Sequence, residues 1–178
     1  MGHRHSRDEI LDGALATAYA DGLSSLSFGR VAKAVDTSDR MVVYYFPNKT
    51  DLISNVLMAV GVELQARLAD AVTERHADHL SLVRTVWPVL ASEECDPAFG
   101  LFFEANGLAA AGVEPYRSLV PVLVAAWSDW LDGFLDVPEP DRRAEAEAVI
   151  ALVDGLLLIR QLVGPDAAER AASRLGVA

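Results

Sequence analysis

The chain has 178 residues, of which 52% are hydrophobic and 23% charged, so it can bury a substantial core and is not a disordered protein. Averaged over the chain, a net charge of −11 argues against a nucleic-acid partner, because phosphate binding depends on Lys and Arg. The single cysteine, Cys95, excludes an internal disulfide. With no apolar block of a signal peptide and no apolar stretch of the ~20 residues that span a bilayer, we expect a soluble cytoplasmic protein without a membrane partner.

The charge is distributed unevenly along the chain. Residues 1–50 contain six basic and six acidic side chains, whereas the remaining residues contain nine basic and twenty acidic ones and carry the whole excess of −11. Both lysines, Lys33 and Lys49, lie in the neutral part. This asymmetry indicates that the two parts face different partners.

Helical periodicity dominates the sequence, which predicts an all-α fold. Four polar residues stand where they can accept a hydrogen bond from a first helical turn. These predicted helix starts are Ser6, Ser27, Ser38 and Asn48. Glu9, three residues after Ser6, completes a capping box. The predicted breaks are Asp21-Gly22, Asp36-Thr37 and Phe46-Pro47.

The second and third predicted helices are short and joined by a tight turn, which is the outline of a helix-turn-helix. Val42 and Phe46, at positions i and i+4, are expected to face the core. The side chains left for DNA at the third helix are Asp39, Arg40, Met41 and Tyr44. The alternative interpretation is an ordinary three-helix packing unit.

Residues 26–35, 38–49 and 51–52 resemble the DNA-binding region of the TetR family of transcriptional regulators. The resemblance covers roughly residues 7 to 53, and its most specific part is the aromatic pair, Phe, Pro, Asn and Lys of residues 44–49. Three positions depart from the family pattern. Asp36 replaces the usual turn glycine, Val43 replaces the usual first aromatic residue, and Gly29 stands where a basic or polar residue is common.

The resemblance implies an N-terminal helix-turn-helix domain over residues 1–48 and a C-terminal helical bundle for effector binding and dimerisation over residues 49–178. It also implies a ligand-responsive transcriptional regulator, with repression as the expected mode. Such a protein binds a palindromic operator in double-stranded DNA as a homodimer and releases it when a small-molecule effector binds. An apolar or aromatic effector fits this sequence best, and we expect no cofactor.

The resemblance assigns phosphate binding to Lys49 and DNA contacts to Tyr44 and Tyr45. Arg40 is predicted to read guanine, since a guanidinium can bond N7 and O6 in the major groove, or else to pair with Asp36 or Asp39. The N-terminal arginines are predicted to form an arm on the DNA or a solvated tail. The full predicted DNA-binding set is Arg4, Arg7, Ser27, Arg30, Ser38, Asp39, Arg40, Met41, Tyr44, Tyr45 and Lys49.

Beyond residue 50 the pattern predicts a helical bundle, with helices near residues 48–68, 80–94, 97–111, 115–136 and 141–162, and a last one from Pro165. Residues 149–159 are apolar around nearly the whole helix, so every side must be covered, one of them by a second copy of the chain. The resemblance also implies a dimer through the last two long helices. The predicted interface comprises Val149, Leu152, Val153, Gly155, Leu156 and Ile159.

Aromatic residues are concentrated in the middle helices, and two groups of them recur at helical spacing. Plain core packing is one interpretation, and an apolar effector pocket with a few polar anchors, Glu104 among them, is the other. Trp127, Trp130 and Phe134 share one helix face by their spacing. The predicted ligand-binding set is Trp87, Phe99, Phe102, Phe103, Asn106, Tyr116, Trp127 and Trp130.

Two other classes of function remain open: a ligand-independent DNA-binding protein and a helical-bundle metal enzyme. His76 and His79 have a spacing that could suit a metal, but their segment is polar on every side, as at a solvated helix end. Cys95 stands among acidic residues, a setting that disfavours a nucleophile. We therefore expect no metal and no catalytic residue.

Overall fold

A computed structural model describes residues 5–178, which form nine α-helices and one short 3-10 helix. The α-helices are α1 (Arg7–Asp21), α2 (Phe28–Ala34), α3 (Asp39–Tyr45), α4 (Lys49–Ala69), α5 (His79–Leu90), α6 (Asp96–Ala110), α7 (Tyr116–Asp132), α8 (Glu139–Val163) and α9 (Pro165–Arg174). The 3-10 helix η1 (Leu23–Ser25) lies between α1 and α2. The all-α prediction is confirmed, and η1 is an element that it missed.

The chain divides into two compact units. Unit 1 comprises Met1–Val62 and Leu101–Leu119, and unit 2 comprises Glu63–Gly100 and Val120–Ala178. Unit 1 therefore contains α1 to α3, the first part of α4 and most of α6, whereas α5, α8 and α9 belong to unit 2. The functional boundary at residue 48 stays a prediction.

The predicted cap of α1 is confirmed in full. The Ser6 hydroxyl oxygen accepts from the Glu9 backbone N–H at 3.2 Å, and the Glu9 carboxylate accepts from the Ser6 N–H at 2.7 Å. The Ser27 hydroxyl oxygen accepts from the Arg30 N–H at 3.3 Å and so caps α2, and Asn48 Oδ1 accepts from the Asp51 N–H in the first turn of α4 at 2.9 Å. Ser38 has N-cap backbone geometry before α3, but within the described residues its side chain makes no capping hydrogen bond.

Two helices end earlier than the pattern predicts, α5 at Leu90 and α7 at Asp132. At the end of α7, the His76 N–H donates to the Phe134 carbonyl at 2.7 Å, and the Asp136 N–H donates to the His76 carbonyl at 2.8 Å. The loop before α5 therefore satisfies the Phe134 carbonyl and the Asp136 N–H, which would otherwise have needed partners within a longer α7.

The core of unit 1 is built from the apolar faces of its first four helices. Its fully buried side chains include Ile10, Ala14, Val31, Val42, Phe46, Leu52, Ile53 and Val56. By length and mean hydropathy, which reaches 1.3 in its most apolar window, α4 could cross a membrane, but the core helix of a soluble protein passes the same test. The burial of Leu52, Ile53 and Val56 is typical of such a core helix.

Candidate DNA-binding surface

The turn between α2 and α3 is held by its backbone. Asp36 has a φ of 53°, the left-handed conformation that the glycine position of this turn requires. The next residue, Thr37, donates its N–H to the Ala32 carbonyl at 2.8 Å and so closes the end of α2. Aspartate adopts this conformation more readily than most residues. The predicted break at Asp36-Thr37, after α2, is confirmed.

The two faces of α3 differ in burial. Val42 and Phe46 have no exposed surface, which confirms the prediction that they face the core. On the other side, Arg40 is exposed, Tyr44 is 69% exposed and Val43 is 39% exposed. This outer face therefore offers a cation, an aromatic ring and a small apolar side chain, a combination that suits the base edges and methyl groups of a major groove.

The guanidinium of Arg40 is not paired within the described residues. Neither Asp36 nor Asp39, the alternative partners, forms an ion pair with it there, although both are exposed. Met41, at the same end of α3, is half-buried. The positive charge of Arg40 is therefore available to a partner outside this chain.

Tyr45 and Lys49 stand on either side of the break after α3. The Tyr45 hydroxyl donates to the His5 carbonyl at 3.1 Å, and its ring meets that of Tyr44 edge-on at 4.9 Å between centroids. Lys49 is exposed and is the first residue of α4, where the helix dipole adds to its positive charge. Its assignment as a phosphate contact stays a prediction.

The other predicted DNA-contacting residues have partners inside unit 1 or lie at its edge. Arg7 donates to Asn55 Oδ1 at 2.5 Å, and its guanidinium carbon lies 5.2 Å from the centre of the Phe46 ring. Arg30 pairs with Asp21 at 3.1 Å. Ser27 and Ser38 are exposed. Arg4 lies outside the described residues.

The predicted ligand-binding residues are divided between the units. In unit 2, Trp127 and Trp130 are half-buried on α7, and their ring centroids lie 5.4 Å apart. The Trp130 ring also lies 4.7 Å from that of Phe134, but α7 ends at Asp132, so Phe134 follows the helix and the predicted shared helix face holds for the two tryptophans alone. Trp87 is buried and its indole N–H donates to Glu169 on α9 at 3.3 Å. Phe99 is also buried.

In unit 1, Phe102 and Phe103 are half-buried, with ring centroids 5.8 Å apart. Tyr116 is 4% exposed, and burial, followed by the negative charge of Glu104, raises the pKa of its hydroxyl to about 12. The Oδ1 atom of Asn106 is buried and has no hydrogen-bond partner in the described part of the chain. Asn106 therefore has an unpaired acceptor, and its role as a ligand anchor stays a prediction.

Glu104 behaves differently from the ligand anchor that the sequence suggests. Its Oε2 accepts from the Leu23 N–H at 2.8 Å, and its Oε1 accepts from the Ser24 N–H at 2.8 Å and from the Ser24 hydroxyl at 2.5 Å. These hydrogen bonds lower its pKa, although desolvation, the largest single effect, acts in the opposite direction. No local pattern reveals this contact, because about 80 residues separate its partners.

The predicted interface residues of α8 fall into two groups. Val149, Val153 and Leu156 are buried within the single chain, at 2%, 6% and 3% exposure. Leu152 is half-buried, whereas Gly155 and Ile159 are exposed. Burial on all sides of this helix is therefore not reached within one copy.

Of the two histidines of the alternative metal site, His79 pairs with a carboxylate. His79 Nδ1 lies 2.6 Å from the Glu145 carboxylate, which also accepts the His79 backbone N–H at 2.7 Å, and these bonds lower the pKa of Glu145. Among residues 5–178, no group of three or more His, Cys, Asp or Glu side chains could hold a metal ion.

Residues 10–56 match the family model described as "Bacterial regulatory proteins, tetR family". No curated protein matches the chain. It is similar in fold to a transcriptional regulator from Rhodococcus sp. Rha1, with 22% identity over 94% of this chain and 91% of that one and a TM-score of 0.71. A TetR transcriptional regulator from Legionella pneumophila gives 20% identity, 98% and 97% coverage and a TM-score of 0.67.

The multidrug binding protein EbrR, complexed with imidazole, is also similar, with 24% identity, 98% and 93% coverage and a TM-score of 0.70. The family match covers α2, α3 and the exposed face described above, and the structural likeness extends over the whole helical fold. Residues 10–56 therefore match the N-terminal region of the tetR family of bacterial regulatory proteins, and the chain as a whole shares the helical fold of the similar structures.

Proposed function

We propose that the protein is a cytoplasmic repressor that binds a palindromic operator as a homodimer and releases it when a small aromatic effector binds. No cofactor, catalytic step or membrane partner enters this function. The observation that carries the proposal is the outer face of α3, where Arg40, Val43 and Tyr44 are exposed above the buried Val42 and Phe46. A helix exposed in this way can place side chains on base edges while its other face fixes its orientation.

Arg40 and Lys49 are expected to differ in what they contribute to DNA binding. On a duplex selected by the protein from a random-sequence library, Arg40→Ala should cost about 1–3 kcal/mol of affinity and leave binding to unselected DNA almost unchanged. Lys49→Ala should weaken both alike, because phosphates carry no sequence information. Fluorescence anisotropy at fixed salt measures both affinities, and equal losses on the two DNAs for Arg40→Ala would contradict base reading.

The proposed dimer rests on the outer face of α8. Ala151, Gly155, Leu158, Ile159 and Leu162 recur at helical spacing on this face and are all exposed, and Leu162 is 73% exposed. An apolar stripe with small residues at its start suits a close, self-complementary contact with a second copy. Two copies would also supply two α3 helices for half-sites about 34–36 Å apart, or a multiple of that distance.

Leu162→Glu is expected to separate the dimer, because a two-fold interface would bring two carboxylates together in an apolar contact. The dissociation constant measured by sedimentation should rise by at least about tenfold. Val113→Glu, an equally drastic change at a 41% exposed position of unit 1, serves as the control. A dimer that survives Leu162→Glu with unchanged affinity would contradict this interface.

The effector is inferred from the aromatic side chains. Trp127 and Trp130, which belong to unit 2, present half-buried rings on one face of α7, where an aromatic ligand can stack. EbrR, similar in fold at 24% and 23% identity, is described in complexes with imidazole and with proflavin, both aromatic and nitrogen-bearing. These observations support a small aromatic effector.

A further inference from the structure

One carboxylate of unit 1 joins two segments that are distant in sequence. Glu104, on α6, accepts three hydrogen bonds from η1: two from the backbone N–H groups of Leu23 and Ser24 and one from the Ser24 hydroxyl. The first N–H groups of a helix have no acceptor inside it, so a carboxylate at this place satisfies them with strong, charge-assisted bonds.

The residue before η1 leaves room for this carboxylate. Gly22 has a φ of 83°, and a Cβ atom built on it would lie 3.0 Å from Glu104 Oε2. On the other side, Leu23 and Leu26 are buried in the core of unit 1. The position of η1 is therefore fixed by Glu104 from one side and by the core from the other.

The helix that carries Glu104, α6, also makes hydrogen bonds at its first residue. Asp96, the first residue of α6, receives two hydrogen bonds from the Arg160 guanidinium, at 2.6 and 2.9 Å, and its carbonyl accepts from Gln161 at 2.8 Å. Arg160 and Gln161 belong to α8. Within about two turns, α6 is thus bonded first to α8 and then, through Glu104, to η1.

We propose that Glu104 is the positioning residue that couples α6 to the helices α1 to α3, here called the head. A displacement of α6 by about 1 Å would lengthen the 2.8 Å bonds beyond hydrogen-bonding distance, and η1, which joins α1 to α2, would lose its cap. The orientation of α2 and α3 follows from that of η1 because the three are consecutive and share one core. This coupling rests on the proposed function, since it requires that the head binds DNA.

Coupling between two parts of a protein is reciprocal, so it can be measured from the DNA side without a known effector. The probe is a duplex selected by the wild-type protein from a random library, and the readout is amide hydrogen exchange of residues 96–110 with and without this duplex. In the wild type, we expect DNA to slow exchange in α6. Glu104→Gln places an amide N–H, itself a donor, against the three donors of Leu23 and Ser24. In this variant DNA should still slow amide exchange in the head, but the slowing in α6 should be at least about 5-fold smaller than in the wild type.

A matched control is Glu114→Gln in the same unit, since Glu114 is exposed and accepts a hydrogen bond from the Ser118 hydroxyl, one turn away, at 2.9 Å. This control should behave as the wild type does. A Glu104 that merely stabilised the fold would lower the melting temperature of the variant and leave the effect of DNA on α6 intact, and that result would overturn the proposal. So would a wild type in which DNA leaves α6 unchanged.

If Glu104→Gln does not fold or no longer binds the duplex, Ser24→Ala decides the question. It removes one of the three donors and keeps both backbone bonds, so the slowing of exchange in α6 should be intermediate, and full wild-type slowing would overturn the proposal. Failure to select any duplex would overturn the proposed function and the coupling together. Loss of the coupling alone would leave sequence-specific binding, and hence the proposed function, in place.

Discussion

Phe46→Ala is expected to lower the free energy of unfolding by about 3–5 kcal/mol. Phe46 is fully buried at the end of α3, so the substitution leaves a cavity in the core of unit 1. It also removes the ring that lies beneath the Arg7 guanidinium, a contact that positions the start of α1. Because the proposed DNA-binding face lies on α3, the selected duplex should bind much more weakly as well.

Chemical denaturation followed by circular dichroism measures the loss of stability, and anisotropy measures the loss of DNA affinity. The matched control is Val43→Ala, one turn earlier on the exposed side of α3, which should change stability by no more than about 0.5 kcal/mol. Equal stability changes for the two variants would contradict the division of α3 into a buried and an exposed face.

The second large effect concerns pH. Burial raises the pKa of the Asp154 carboxyl on α8 from its ordinary 3.8 to about 7. The unfolded chain therefore releases this proton at a lower pH than the folded protein does. The protonated Asp154 carboxyl therefore stabilises the folded state fully below about pH 4, and this contribution is lost progressively as the pH rises to about 7. At about 1.4 kcal/mol for each unit of pKa, the loss in the free energy of unfolding amounts to roughly 4 kcal/mol.

Asp154→Asn should remove this dependence and leave a protein whose free energy of unfolding is higher than that of the wild type at neutral pH. Denaturation curves recorded between pH 4 and 8 give the slope directly. Asp136→Asn, on the exposed loop after α7, is the control and should keep the wild-type slope. A slope that persists in Asp154→Asn would contradict the burial of this carboxyl.

Much of the structure from Ser6 to Asp51 could be predicted from the sequence because its signals are local. The capping partners Ser6 and Glu9 are three residues apart, and so are Asn48 and Asp51, so the spacing itself indicates the hydrogen bonds. The division of α3 into two faces is equally local, since Val42 and Phe46 are one turn apart.

The features that the sequence does not reveal depend on distant residues. Glu104 satisfies η1 from about 80 residues away, and His76 ends α7 from nearly 60 residues away. The largely apolar segment 149–159 of α8 shows the limit most clearly, because its pattern predicted burial without saying which side its own chain would cover. The structure covers Val149, Val153 and Leu156 and leaves Gly155 and Ile159 outside.

The two compact units also differ in their chromophores. All four tyrosines (Tyr19, Tyr44, Tyr45 and Tyr116) belong to unit 1, and all three tryptophans (Trp87, Trp127 and Trp130) belong to unit 2. Tryptophan absorbs at longer wavelengths than tyrosine, so light at the long-wavelength end of the protein's absorption excites tryptophan alone. Emission excited there reports on unit 2 alone, so the response of this unit to DNA or to a small molecule can be followed in the unlabelled, unmodified protein.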